Sequence, residues 1–190
     1  IYTAMLCGLA FLILIQFNKL TIILGLVSMT LAFSYPFMKR ITHWPQLFLG
    51  LTFNWGIVMA WTAVTNTISI EIIILYTSAI FWTLGYDTIY GAQDMVDDEL
   101  IGIKSTSIKF KSNMKLFVSI CYFISSALII VLFYSKFNFN NSSLLIIIYI
   151  ISLMYQIIKL KKNNPNECLR MFKINNFSGL VLFFGIFLIN

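Results

Sequence analysis

Five of the seven acidic residues fall within thirteen positions, Asp87, Asp94, Asp97, Asp98 and Glu99, and the other two, Glu71 and Glu167, stand alone. The sequence around them is strongly apolar. A carboxylate at the centre of a bilayer costs about 2.5–3.5 kcal/mol on insertion scales, so acids gathered at the end of a hydrophobic segment call for a compensating partner. At about 100° per residue on a helix, Asp94 and Asp98 lie about 20° to either side of Asp87. The stripe is then about 40° wide and climbs roughly 16 Å. Tyr90 flanks it. Asp97 sits about 80° away and joins if the helix unwinds near Gly91. Stacked like charges destabilise a helix and tend to hold protons unless a cation balances them. Oxygen-only ligands at this spacing suit Mg²⁺, which keeps waters and is completed by substrate phosphates. Asp94 and Asp98, with Asp97 adjacent, are therefore the candidate metal ligands. Asp87, the deepest, is placed to steer or deprotonate a substrate hydroxyl. Lys104 follows closely, and a lysine facing the same pocket as a metal points to an anion such as diphosphate. Glu99 reads as a solvated helix end.

The elements that must position these groups are membrane helices. The chain has 190 residues, 59% of them hydrophobic, and its mean hydropathy is +0.89. Only 11% are charged, against about 25% in soluble domains. Hydrophobic stretches near 1–17, 20–38, 46–65, 68–91, 114–135, 142–160 and 175–190 each approach the roughly 20 residues that span a bilayer. They are too long and too continuously apolar for barrel strands. The expected fold is an all-α, multi-pass transmembrane bundle in a single domain, 1–190.

Seven spans put eleven of the thirteen Lys and Arg residues on one side, and leave only Lys19 and Lys136 on the other. The positive-inside rule places the rich side, and the acids with it, in the cytoplasm. Topology alone accounts for these basic loops, so no nucleic-acid partner is expected. Two loops on that side are substantial, about 93–113 and about 159–174. The second contains the turn signal Asn163-Asn164-Pro165-Asn166, which leaves Asn175 and Asn176 to open the last helix. Connections on the opposite side are expected near Asn66 and from Asn138 to Ser143. Cys7, Cys121 and Cys168 are far apart and read as packing residues. His43, the only histidine, and Trp44 read as interfacial.

The stretch Asp87-x-x-Tyr90-x-x-x-Asp94-x-x-Asp97-Asp98, followed by Ile101-Gly102-Ile103-Lys104-Ser105-Thr106, resembles the second aspartate-rich motif of the UbiA-type intramembrane prenyltransferases. Tyr35 to Arg40 with Thr42 to Gln46 resembles the 4-hydroxybenzoate branch, as does Asn175-Asn176-Phe177 with Gly179 to Phe183. Phe53-Asn54-Trp55-Gly56 is similar to alphaproteobacterial and mitochondrial versions. The resemblance covers nearly the whole chain, with its blocks in the family's order.

That resemblance implies transfer of a polyprenyl group from a polyprenyl diphosphate to the ring of 4-hydroxybenzoate, Mg²⁺-dependent, in ubiquinone biosynthesis. Asp94 and Asp98, with Asp97 adjacent, would hold metal. Asp87 would position the ring or take its proton, Arg40 would pair with the benzoate carboxylate, and Lys104 and Tyr90 would contact substrate. The implied location is a bacterial inner membrane, or alternatively the mitochondrial inner membrane. Family members have nine helices and a first motif, Asn-Asp-x-x-Asp-x-x-x-Asp, whereas residues 1–86 here hold a single acid, Glu71. The expectation is a chain lacking the first two helices and that motif, inactive alone. The competing readings are a cation-coupled transporter, which predicts acids at mid-membrane on several helices, and a nonfunctional remnant or structural subunit.

Overall fold

The computed structural model describes residues 2–134 and 141–189. Among them the regular structure is entirely helical. The helices are α1 (Tyr2–Leu14), α2 (Lys19–Ile41), α3 (Pro45–Phe53), α4 (Trp55–Thr65), α5 (Ile70–Gly91), α6 (Met95–Leu100), α7 (Thr106–Lys109), α8 (Met114–Phe133), α9 (Asn141–Lys159) and α10 (Pro165–Phe187). Five segments are long and apolar enough to cross a membrane: Lys19–Ile41, Pro45–Thr65, Ile70–Gly91, Met114–Phe133 and Ser142–Lys159. The first expected span is a short apolar helix of 13 residues. The last forms the apolar part of α10. The connection expected near Asn138, and Lys136 with it, lies outside the described residues.

Two boundaries differ from the sequence-based expectation. The stretch 46–65 is not one helix: α3 and α4 break at Asn54. The Asn54 amide donates to Gly50 O at 2.9 Å, to Thr83 Oγ1 at 2.8 Å and to Ala79 O at 3.3 Å. The break is thus fastened to α5, and carbonyls left over by the irregular turn find donors. The last helix begins at Pro165, about ten residues before Asn175. Pro165 occupies the first turn, where a missing N–H costs nothing, and the Asn164 side chain accepts from Glu167 N at 3.3 Å. The turn signal at Asn163–Asn166 is therefore a helix start, and Asn175 and Asn176 lie inside α10.

The core is made where α5 packs against α8 and α9 against α10. Gly85 lets α5 approach closely, since a Cβ there would come within 2.5 Å of the Tyr122 ring. Polar side chains tie the helices across this apolar interior. Tyr122 donates to Gln156 Oε1 at 2.7 Å, Ser152 and Ser178 hydroxyls meet at 2.7 Å, and Ser78 donates to Ser125 O at 3.0 Å. At the end of the bundle remote from the acids, Asn18 caps α2 and donates to Thr62 O at 2.7 Å. At the other end the loops interlock. Lys104 N donates to Lys39 O at 2.9 Å, and Thr106 N to Gln46 Oε1 at 2.9 Å.

Candidate functional site

The acidic segment is not one helix. α5 stops at Gly91, three residues intervene, and α6 begins at Met95. Ser107 supplies the local reason. Its hydroxyl donates to Thr88 O at 2.8 Å, a carbonyl that the next helical turn would have used. Ala92 N and Gln93 N instead donate three residues back, to Ile89 O and Tyr90 O. Gly91 permits the approach, because a Cβ there would lie 2.6 Å from Ser107 Oγ. α6 then closes on Gly102, whose φ is +73°. Ile103 N donates to Asp98 O at 2.9 Å and Gly102 N to Glu99 O at 3.3 Å, the pattern of a left-handed helix stop.

Despite the break, the acids converge. A cavity of about 80 Å³ is lined by Asp87, Tyr90, Asp94 and Asp98, together with Tyr35, Lys39, Pro45, Gln46 and Gly91. The structure therefore brings together four of the residues singled out by sequence. It leaves out Asp97, Arg40 and Lys104. The break near Gly91 does not swing Asp97 into the cavity, and its residue is exposed. Arg40 is exposed on the neighbouring face of α2, one position past Lys39, which does line the cavity. Lys104 is occupied in joining loops, with Nζ donating to Ile41 O at 3.2 Å. Glu99 pairs with Lys111 at 2.6 Å near the surface.

Tyr35, Lys39 and Gln46 are the residues that motif reasoning missed. Tyr35 and Lys39 are four apart on α2, a spacing that puts them on one face. Gln46 is buried and fixed by the Thr106 amide. All three fall in the block Tyr35 to Gln46 that carried the family resemblance, and that block with the helical spacing was the signal available in the sequence; the Gln46 contact is tertiary.

Three carboxylates and one ammonium around so small a volume leave an excess of negative charge that favours a bound cation. Among the described residues, no three carboxylate, imidazole or thiol groups meet closely enough to hold an ion unaided. The donor set fits magnesium in its usual mode, with one or two carboxylates completed by water and phosphate oxygens. Its volume matches an ion with one or two waters, at about 30 Å³ of liquid volume per water.

Behind the acids lies a larger aromatic cavity. Tyr90 and Tyr86 both contact the Phe172 ring, with centroids at 4.7 and 5.8 Å. Phe172, Tyr86, Trp82, Phe53 and Asn175 border a space of about 280 Å³. Trp82 and Asn54 border this space and also an apolar groove of about 400 Å³ between α5 and α10. Asn175 fixes the Trp82 ring: its Oδ1 accepts from the Trp82 indole at 2.9 Å, and its Nδ2 donates to Gln156 Oε1 at 3.1 Å. The acidic cavity, the aromatic one and the apolar groove thus lie along one helical bundle, the first two joined by the Tyr90–Phe172 ring contact and the last two by Trp82 and Asn54.

These features define an intramembrane helical protein with an acidic site at one end. The model of the UbiA prenyltransferase family matches residues 1–178, and the chain belongs to that family. It is 43% identical over 191 residues to the mitochondrial 4-hydroxybenzoate polyprenyltransferase of Aedes aegypti, covering 95% of this chain and 41% of that protein. It is 38% identical over 180 residues to the 4-hydroxybenzoate octaprenyltransferase of Psychromonas ingrahamii, covering 94% of this chain and 62% of that one. The chain thus spans less than two thirds of the length of either. A UbiA homologue from Aeropyrum pernix K1, solved in its apo form, shares the fold with a TM-score of 0.76 at 19% identity, over 93% of this chain and 66% of that one.

Proposed function

We propose that this chain carries the second aspartate motif of an enzyme that moves a polyprenyl group from polyprenyl diphosphate to the ring of 4-hydroxybenzoate, in ubiquinone biosynthesis. The observation that carries the reading is the convergence of Asp87, Tyr90, Asp94 and Asp98 on one cavity beside Lys39. The likeness to the mosquito and bacterial enzymes supports the choice of substrates.

Asp94 and Asp98 are the residues that would hold magnesium, and the ion would supply charge stabilisation to the departing diphosphate. Lys39 adds a second positive contact for phosphate oxygens. As the C–O bond to diphosphate breaks, the ring carbon ortho to the phenol forms the new C–C bond to the prenyl C1. The ring then loses its proton, and Asp87 accepts it or positions the phenol. The aromatic faces of Tyr86, Trp82 and Phe172 flank the path of developing positive charge. The groove between α5 and α10 offers an apolar bed for the tail. Residues 1–86 do not contain the first aspartate motif, so the proposed reaction needs that motif supplied beside this chain, and the 190 residues alone are inactive. The basic side, with the acids, faces the bacterial cytoplasm or, in the alternative location, the mitochondrial matrix.

The test uses membranes bearing this chain joined to an N-terminal segment that holds the first motif. They are supplied with ring-labelled 4-hydroxybenzoate, a polyprenyl diphosphate and Mg²⁺. Label appears in a lipid-soluble, ring-prenylated product, and chelation of divalent cations stops it. Failure to form that product with folded protein contradicts the proposal.

A further inference from the structure

The largest cavity described lies apart from the acidic one and shares no residue with it. Its volume is about 670 Å³, and it opens between the start of α8 and the turn joining α9 to α10. Lys115, Lys161 and Lys162 line it, and no acidic residue does. Two acids outside the reaction site have basic partners on this side: Glu99 pairs with Lys111 at 2.6 Å, and Glu167 with Arg170 at 3.9 Å. Lys161 also borders the small neighbouring cavity that contains Glu167 and Arg170. The cavity lysines make no ion pair among the described residues. Lys162 Nζ donates to Lys111 O at 2.7 Å, and Lys115 Nζ reaches Ile158 O at 3.5 Å. Each ammonium has three donors, so donors remain free.

One long helix also begins at this cavity. α8 starts beside Asn113, whose side chain caps nothing, and its first turn holds no acid. Its first amide groups and dipole add to the positive potential. The positive-inside rule demands lysines on this side, but it does not demand that three of them gather around one hollow whose lining holds no acid. Depth decides what the hollow receives. α8 and α9 are long and apolar enough to cross a membrane, and the cavity is built from residues at their ends on the basic side. Leu116, on its rim, is exposed and apolar, while Leu160 is buried. A lysine-lined hollow with an apolar lip at the membrane–water boundary matches a phosphate headgroup above an acyl chain.

We infer that this cavity is a binding site for the phosphate headgroup of an anionic phospholipid, formed by Lys115, Lys161 and Lys162 with the amino end of α8. The lipid clamps the α8 end to the α9–α10 turn, behind the helices that carry the reaction site.

The experiment uses the purified chain in an uncharged detergent, titrated with phosphatidylglycerol or phosphatidylcholine, with bound lipid counted by native mass spectrometry. Wild type takes up phosphatidylglycerol in preference to phosphatidylcholine. The Lys115→Gln, Lys161→Gln, Lys162→Gln triple variant binds it about a hundredfold more weakly, while the corresponding triple arginine variant retains binding. A charge-matched control, Lys109→Gln with Lys159→Gln and Lys173→Gln, changes affinity by less than threefold. Circular dichroism confirms that each variant is folded. Equal losses in the control and cavity variants would reduce the effect to general attraction by basic loops, and overturn the site. Full displacement of the lipid by millimolar inorganic phosphate would show a free-anion site instead, and overturn the lipid assignment. Equal uptake of both lipids by wild type would do the same.

Discussion

Lys39, not its neighbour Arg40, shares the cavity with Asp87, Asp94 and Asp98. The two are adjacent in sequence and about 100° apart around α2, so only one can face the acids. The family resemblance gave Arg40 a different task, pairing with the benzoate carboxylate, and nothing in a single sequence says which side of α2 turns inward. The same ambiguity explains Asp97, which stands beside Asp98 in sequence yet outside the cavity. Asp87, Tyr90, Asp94 and Asp98 were legible as a group from their closeness in sequence, but the turn between α5 and α6, not one continuous helix face, brings them to one cavity. If Lys39 contacts phosphate oxygens in the proposed reaction, Lys39→Ala in the reconstituted enzyme should lower kcat/KM for the diphosphate substrate about ten- to a hundredfold, the worth of one charged hydrogen bond. Arg40→Ala should lower it much less. Steady-state kinetics with varied polyprenyl diphosphate measures both, and a larger loss in Arg40→Ala would contradict the role given to Lys39.

At the scale of elements, the sequence marks helices by apolar runs but does not mark where tertiary contacts cut them. The break after Gly91 depends on Ser107 capturing the Thr88 carbonyl, from nineteen residues away. The break at Asn54 depends on Thr83, twenty-nine residues on. α10 was legible at its start, in Asn164-Pro165, only if the asparagine was read as a cap rather than as a turn. Gly102 is the stop that returns the chain from α6 to the Lys104–Lys39 junction. An added Cβ meets no neighbour there, so the cost of Gly102→Ala is the left-handed backbone alone. The variant should be destabilised by about 1–2 kcal/mol. A denaturant titration in detergent micelles, followed by circular dichroism, measures this as a lower midpoint with an unchanged slope. An unchanged midpoint would mean that the turn does not hold α6 in place.

The whole molecule was the most legible scale, because a bilayer leaves few options for a chain this apolar. Up-and-down helices, basic loops gathered at one end and acids at that same end all follow from composition and charge. Five segments meet the length and hydropathy of a span, and the flanking apolar helices α1 and α10 complete the expected run. The account also fixes an orientation relative to the acids. Labelling tests it directly, with single cysteines placed at Lys162 and at Thr67 in a cysteine-free background and a membrane-impermeant maleimide. In sealed, right-side-out vesicles only the Thr67→Cys site should react, and in inverted vesicles only the Lys162→Cys site. The reverse pattern would put the aspartates on the wrong face for a cytoplasmic or matrix substrate.

The claim on which the chemistry rests is that Asp94 and Asp98 act together, through magnesium, on the departing diphosphate. Turnover of 4-hydroxybenzoate as a function of Mg²⁺ concentration, in wild type and in folded Asp94→Asn and Asp98→Asn variants of the reconstituted enzyme, measures it most directly. Each variant should lose at least about a hundredfold in kcat at saturating Mg²⁺, the range expected when electrostatic stabilisation of a leaving group is removed. Its need for the ion should rise as well. Wild-type turnover with an unchanged magnesium profile in either variant would contradict the account.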